Sequence, residues 1–491
     1  MKYPAYLSCL LLSSLLVACG GQDDSAPIEE RLDEASANIS EALDEASSNV
    51  SEALDDASDA VQGRLNEAEE LVQGPVASEL REAIASDYAD NLGPLFVHFH
   101  QNPELSNLEF ETAKRLAEEI RALGFEVTEG VGGTGIVAVM ENGEGPTVMI
   151  RADMDGLPVK EDNDLEYASI ATQVDESGEE QPVMHACGHD VHITALVGTA
   201  RQLAARRDQW SGTLVLIGQP AEERISGARA MLEDGLYERF PKPDFALAFH
   251  VAADYPSGKI EIPKDIVASS SDSVDIIVRG VGTHGAAPHK GIDPVLVASQ
   301  IVVTLQSVVS RTIPPLEDGV ITVGAIHGGT KHNIIGDRVD LQLTVRSNNP
   351  EIRTQLLDGI DRVAEGVGRS FGLPDELLPV VKRSKVETTP PTINDSATAT
   401  LLEDAIRAQM GDEIFFSKPP EGMGAEDFAY FVEEGLGVKG VYFTVGGTPE
   451  DEIDTAPSHH SPFFKIEPEP SIKAGVEASV VSAMTLLQPS T

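Results

Sequence analysis

Apolar positions fall into successive patterns along the chain. The first is a single run from Tyr6 to Val17, behind one early lysine, and it is too short to span a bilayer comfortably. From Ile28 the pattern becomes an eleven-residue repeat that pairs Ile28 with Leu32, Ile39 with Leu43, Val50 with Leu54 and Val61 with Leu65. Ala35, Ala46, Ala57 and Ala68 complete a stripe at i, i+4 and i+7. Eleven residues in three turns, a period of about 3.67, predicts a nearly straight helix or a gently right-handed coiled coil. The stripe is narrow and its flanks are acidic, so a polar spacer and a self-associating stalk both fit. Gly74-Pro75 ends it.

From Val76 the pattern is that of an α/β protein. Helical periodicity covers Ser86 to His100 and Glu109 to Leu123, the second closed by Gly124. Short aliphatic runs at Thr147 to Arg151, Leu214 to Ile217 and Phe245 to Phe249 predict buried strands. Each ends on polar residues: Asp153 and Asp155, then Glu222 and Glu223, then His250. Ligands collect beyond the carboxyl ends of strands in open α/β sheets, so three strands deliver their polar tips to one place.

The composition changes at Ser269-Ser270-Ser271. A strand at Val274 to Arg279, a helix at Asp293 to Arg311, strands at Val320 to Ile326 and Arg338 to Arg346, and a helix at Glu351 to Ser370 describe a small two-layer domain. After Pro379 the α/β alternation resumes, with helices at Ala397 to Gln409 and Glu426 to Glu434, a strand at Gly440 to Val445 and a final helix at Glu469 to Leu487. The small domain is therefore inserted into the larger one. The expected segments are 1–18 (leader), 19–75 (acidic helical stalk), 76–268 and 380–491 (the α/β domain, with a mixed, mostly parallel sheet flanked by helices) and 269–379 (the inserted α+β domain).

Composition adds constraints. The 491 residues carry a formal charge of −46, which repels nucleic-acid phosphates and anionic lipid surfaces and excludes nucleic acid as a partner. Of three cysteines, Cys9 sits in the first apolar run, Cys19 closes it and Cys187 lies alone in the body, so no disulfide framework exists after processing. The apolar run reads as an export signal. Leu16-Val17-Ala18-Cys19 resembles the bacterial lipobox, which implies a lipid on Cys19 and, with Gly20 after it, an outer-membrane anchor facing the periplasm of a Gram-negative cell. An ordinary cleaved signal with an incidental cysteine is the alternative.

The densest chemistry is Met184-His185-Ala186-Cys187-Gly188-His189-Asp190-Val191-His192, with three of the chain's twelve histidines and its lone body cysteine. A thiolate and an imidazole two residues apart suit zinc and related metals. A polar loop rich in histidine by chance is the bland alternative. In Gln219-Pro220-Ala221-Glu222-Glu223, adjacent residues leaving a strand point in different directions, so one carboxylate can bind metal while the other handles a proton. His459-His460-Ser461-Pro462 is a further candidate. Gly280-Val281-Gly282-Thr283-His284-Gly285 matches a dinucleotide fingerprint in letters only: Pro288 interrupts the helix start and no acid follows about twenty residues on. His98 and His100 read as structural.

Taken in order, His100-Gln-Asn-Pro103-Glu104-Leu105-Ser106, Arg151-Ala-Asp153-Met-Asp155-Gly-Leu-Pro158, Met184 to Asp190, Gln219 to Glu223, His284-Gly-Ala-Ala-Pro-His289, Gly424-Ala-Glu426-Asp427-Phe428 and His460-Ser-Pro462 resemble the amidohydrolase branch of the aminoacylase and carboxypeptidase metallopeptidases. That branch includes hippurate hydrolases and hydrolases of indole-acetyl amino acids. The resemblance spans roughly Ser86 to Leu487 and leaves out the stalk. It implies that Cys187, His189, Glu223, His250 and His460 bind two divalent ions, zinc or manganese, and that Glu222 is the general base. It further implies that His284 reaches the site of a partner subunit to stabilise the oxyanion, that Asn333 and Arg346 hold a substrate carboxylate, and that Asp155 supports the catalytic groups from behind. The inserted domain is then both lid and homodimer interface. The implied reaction is hydrolysis of the amide of an N-acyl or N-aroyl amino acid. A dipeptidase or carboxypeptidase of the same mechanism, and a catalytically silent binding lipoprotein, are the alternatives.

Overall fold

A computed structural model describes residues 75–419 and 422–487. The expected leader, the lipidation site Cys19 and the stalk lie outside them.

The central sheet has seven strands in the spatial order Glu126–Val131, Gly135–Asn142, Gly212–Gln219, Thr147–Asp153, Phe245–Pro256, Lys439–Thr448 and Ile260–Glu261. The four inner strands run parallel and the outer ones antiparallel. Both faces are covered, which is why the strands read as continuous apolar runs. Alternate residues serve opposite faces. Val148, Ile150, Leu214, Leu216, Leu247 and Phe249 pack with the helices Gly93–Gln101, Phe110–Arg121, His189–Ala205 and Pro468–Leu486. Met149, Val215, Ile217, Ala246 and Ala248 pack with Ala228, Met231, Phe428 and Phe431 on the other side.

The helix His189–Ala205 is buried nearly all round, as an α-helix in the middle of a large core must be. Gly198 lets it lie against the C-terminal helix and the N-terminal helical segment: a Cβ there would come within 2.7 Å of Val476 Cγ2 and 2.8 Å of Leu92 Cδ1.

The inserted domain is a four-stranded antiparallel sheet, ordered Gly319–Gly328, Arg338–Ser347, Ser271–Arg279 and Val380–Thr389, with the helices Pro294–Arg311 and Pro350–Ser370 packed on it. Its fourth strand lies beyond residue 379, where the sequence had placed the boundary. Val380–Thr389 pairs with Ser271–Arg279 and brings Ser271 opposite Thr389. The chain thus enters and leaves the insertion on adjacent strands.

One element was not expected, and one expectation changes. The edge hairpin of Glu126–Val131 and Gly135–Asn142 was not legible because its outer strand is largely exposed and polar. The helix expected at Glu426 to Glu434 is a short 3-10 turn, Asp427–Val432, because Asp427 turns inward to accept from Gln219 Nε2 (2.6 Å) and the Ala228 N–H (3.0 Å).

Candidate metal centre

The site lies where the parallel strands end. Gly188, at φ 85°, turns the chain into the helix His189–Ala205, and a Cβ there would lie 2.3 Å from Val251 Cγ1. Glycine alone satisfies both demands, and it sets Cys187 and His189 on either side of the turn. The Glu222–Glu223 pair is held by Asp155, whose Oδ1 accepts the Glu222 N–H (3.2 Å) and whose Oδ2 accepts the Glu223 N–H (3.0 Å) and the Ser106 hydroxyl (2.6 Å). The preceding Ala221 sits at φ 48°, with its N–H on the buried Glu109 carboxylate at 2.8 Å.

Four histidines meet here, and the partner of the far nitrogen assigns each tautomer. His189 donates from Nδ1 to the Asp155 carbonyl (2.8 Å), and His250 donates from Nδ1 to the Val251 carbonyl (2.7 Å). In its neutral form each presents a lone pair at Nε2. His192 accepts the Val251 N–H at Nε2 (2.9 Å), so its Nδ1 proton goes to Asp153 at 2.5 Å. His459 likewise accepts the Ala253 N–H at Nε2. His185 is buried with neither ring nitrogen hydrogen-bonded, and burial lowers its pKa to about 4, so it packs as a neutral ring.

The donor set fits a pair of cations. Ligand atoms of Cys187, His189 and His250 lie within 4.8 Å of one another, as do those of Cys187, Glu223 and His460, so the two groups share the sulfur. His460, at φ 64°, stands 3.3 Å from Glu223 Oε2. His189 Nε2 and Glu223 Oε1 are buried with no hydrogen-bond partner, the signature of atoms meant for an ion. Burial alone would lower the His189 pKa, but the Asp153 and Asp155 carboxylates raise it to about 10; they favour positive charge at that ring. Burial together with Glu223, Glu222 and Asp153 holds the Cys187 thiol far above its usual range, so only a cation in the nest makes the thiolate favourable.

Glu222 lies beside this nest, its Oε2 3.9 Å from His189 Nε2. Burial and the Glu426, Glu223 and Asp427 carboxylates raise its pKa well above the normal glutamate value, which suits a proton carrier. Below it the fully buried Arg151 pairs with Asp153 (2.6 Å), Glu426 (2.8 Å) and Asp427 (3.5 Å). The sequence brought Arg151, His192 and His459 into view only as members of motifs, and did not give Arg151 the role of counter-charge or His459 its place beside Cys187.

A cavity of about 970 Å³ opens above these residues and is walled on one side by the catalytic domain and on the other by Arg346, Asn348 and Asp318 of the insertion. Arg346 donates to the Met423 carbonyl (3.3 Å) and Thr344 Oγ1 (3.2 Å), and among the described residues it pairs with no carboxylate. His284 and Asn333 do not line the cavity. Both are exposed, beside the two-residue pairing of Thr283–His284 with Ile334–Ile335.

Residues 149–484 match the model of the peptidase family M20/M25/M40. The chain belongs to that family. It is 35% identical over 368 residues to thermostable carboxypeptidase 2 of Saccharolobus solfataricus, covering 74% of this chain and 88% of the relative. It is 35% identical over 335 residues to the hippurate hydrolase of Campylobacter jejuni, covering 68% and 83%. Among solved structures, a Bacillus subtilis protein described as a dinuclear metal-binding peptidase of the M20 family superposes with a TM-score of 0.66 at 27% identity, over 82% of this chain and 99% of that one. The dinuclear metal binding in that structure's description agrees with the donor set around Cys187.

Asp155→Asn replaces one of the two accepting oxygens with an NH₂, which then faces a backbone N–H of the Glu222–Glu223 pair. It should destabilise the turn by about 1–3 kcal/mol and weaken metal retention, read by urea unfolding and by metal content after dialysis; unchanged values would contradict the role given to Asp155. His100 gives a pH test. Burial opposes its charge, but Asp190 (2.7 Å) and Glu161 (3.1 Å) raise its pKa from 6.5 to about 9. A raised folded pKa contributes stability that is complete below pH 6.5 and lost as pH rises through about 9. The stability deficit of His100→Gln should therefore shrink across that window, and a deficit that grows with pH would contradict it.

Proposed function

We propose that the protein hydrolyses the amide bond of N-acyl or N-aroyl amino acids that carry a free carboxylate. The observation that carries this reading is the pairing, across one cavity, of the cation nest with its adjacent Glu222 and a guanidinium, Arg346, that no carboxylate among the described residues engages. Cys187, His189, Glu223, His250 and His460 would hold the ions. Two divalent ions, zinc or manganese, would supply Lewis acidity at this nest. Glu222 takes a proton from the attacking water and returns it to the departing nitrogen as the C–N bond breaks. Arg346 holds the substrate carboxylate and so fixes which amide lies over the nest. The carboxypeptidase relative supports a second reading, cleavage of short peptides by the same groups. The intact nest speaks against a silent binding protein.

His284 and Asn333 act in this reading from a partner subunit. The helix Pro294–Arg311 has a mean hydropathy of 1.3 over its 18 residues, yet only one face packs inward. Val295, Leu296 and Val303 remain exposed on it, with Ile326 on the edge strand Gly319–Gly328 and Ile334 nearby. An apolar helix face beside an open sheet edge fits a self-complementary homodimer contact. The leader and Cys19 support an exported, lipid-anchored enzyme held at the outer membrane and facing the periplasm, with the acidic repeat as its stalk.

Glu222→Gln should lower hydrolysis of N-acetyl and N-benzoyl amino acids by about 10²–10⁴-fold with metal content unchanged; a variant as fast as wild type would sink the mechanism. Glu222→Gln and His284→Ala chains, each inactive alone, should recover about a quarter of wild-type activity when co-expressed, because half the dimers are mixed and each of these has one complete site. No recovery would place His284 in its own subunit's site, and a His284→Ala chain that is active alone would place it outside catalysis.

A further inference from the structure

Two imidazoles face the Cys187 sulfur, His250 through Nε2 at 3.4 Å and His459 through Nδ1 at 3.6 Å. Distance alone makes them equivalent, and the far side of each ring separates them. His250 gives its Nδ1 proton to the Val251 carbonyl, so a lone pair faces the sulfur. His459 receives the Ala253 N–H at Nε2, at 3.1 Å, so the nitrogen facing the sulfur carries the proton of the neutral ring. A protonated ring nitrogen donates to sulfur and is not free to bind a metal.

We infer that His459 is a positioning residue that donates an Nδ1–H···S hydrogen bond to the Cys187 thiolate and thereby limits the charge the sulfur gives to the metal pair. This rests on the reading of Cys187 as a ligand. The ring is fixed on several sides. It lies against Phe464 at 4.8 Å between centroids and edge-on to His250 at 5.3 Å. The Ala253 amide that holds it lies past Ala248, the last residue of that strand to pair with Thr147–Asp153. Turning the ring over would leave that amide without a partner. His460, the neighbour in sequence, points to Glu223 instead, so the two adjacent histidines divide the work: one for the ion, one for the sulfur.

A hydrogen bond to a thiolate stabilises the filled sulfur orbitals, and groups behind the ligands tune a metal in this way. The test uses the full chain loaded with Co²⁺, read by the sulfur-to-cobalt charge-transfer band and by the cobalt count. His459→Phe keeps an aromatic ring and removes the donor. Its band should move to longer wavelength at an unchanged cobalt count. His459→Asn, whose amide N–H can take the place of Nδ1–H, should return the band to the wild-type position. His459→Leu serves the same purpose as the phenylalanine variant if that one does not fold. An unshifted band in the donorless variant would reduce His459 to packing, and loss of a cobalt equivalent would make it a ligand; either result overturns the proposal. A wild-type protein with no sulfur-to-cobalt band would instead remove Cys187 from the ligand set, a failure of the underlying reading that is seen before any variant is made.

Discussion

Backbone groups left unpaired at the carboxyl edge of a sheet must still be satisfied when they are buried, and much of this site consists of the side chains that satisfy them. Phe245–Pro256 outruns its parallel neighbour after Ala248, and its free groups at Val251 and Ala253 are taken by His192, His250 and His459. Those bonds assign the proton on each ring. His189 is assigned in the same way by the Asp155 carbonyl. The metal-binding character of the cluster is therefore a consequence of where the strands stop, and it is set before any ion arrives.

Charge is the second organising term. Asp153, Asp155, Glu222, Glu223, Glu426 and Asp427 crowd around one buried region, and Arg151 is the permanent cation placed among them. So much buried negative charge is costly unless it is paired. The raised pKa values of His189 and Cys187 express the same need: one group holds a proton, and the other will not release one, because the region is short of positive charge. A pair of divalent ions supplies it.

The sequence made the framework legible wherever burial was two-sided. Val148 to Ile150, Leu214 to Ile217 and Phe245 to Phe249 are apolar at every position because both faces of the sheet are covered, and the polar residues beyond their ends marked the site. The strand Val380–Thr389 was hidden by its exposed positions, and with it the true end of the insertion. Glu222, Glu223 and His250 could be read from the ends of buried strands, and Cys187 and His189 from the dense run around them; that these and His460 belong to one site came from motif resemblance. The parts played by Arg151, His192 and His459 could not be read, since each depends on which backbone or carboxylate atom a side chain meets across the fold. His284 and Asn333 stay apart from the cavity in one chain; the motif resemblance implied this for His284 but not for Asn333.

The central claim is that this cavity is a two-ion amide hydrolase site. It is tested most directly by stripping the protein with chelator and titrating manganese or zinc back while following hydrolysis of N-acetyl and N-benzoyl amino acids together with bound metal. Hydrolysis should be lost with the metal and return to a plateau at two ions per chain, matching the description of the Bacillus subtilis M20 structure as dinuclear. Full activity in the stripped protein, or none in the protein carrying both ions, would contradict it.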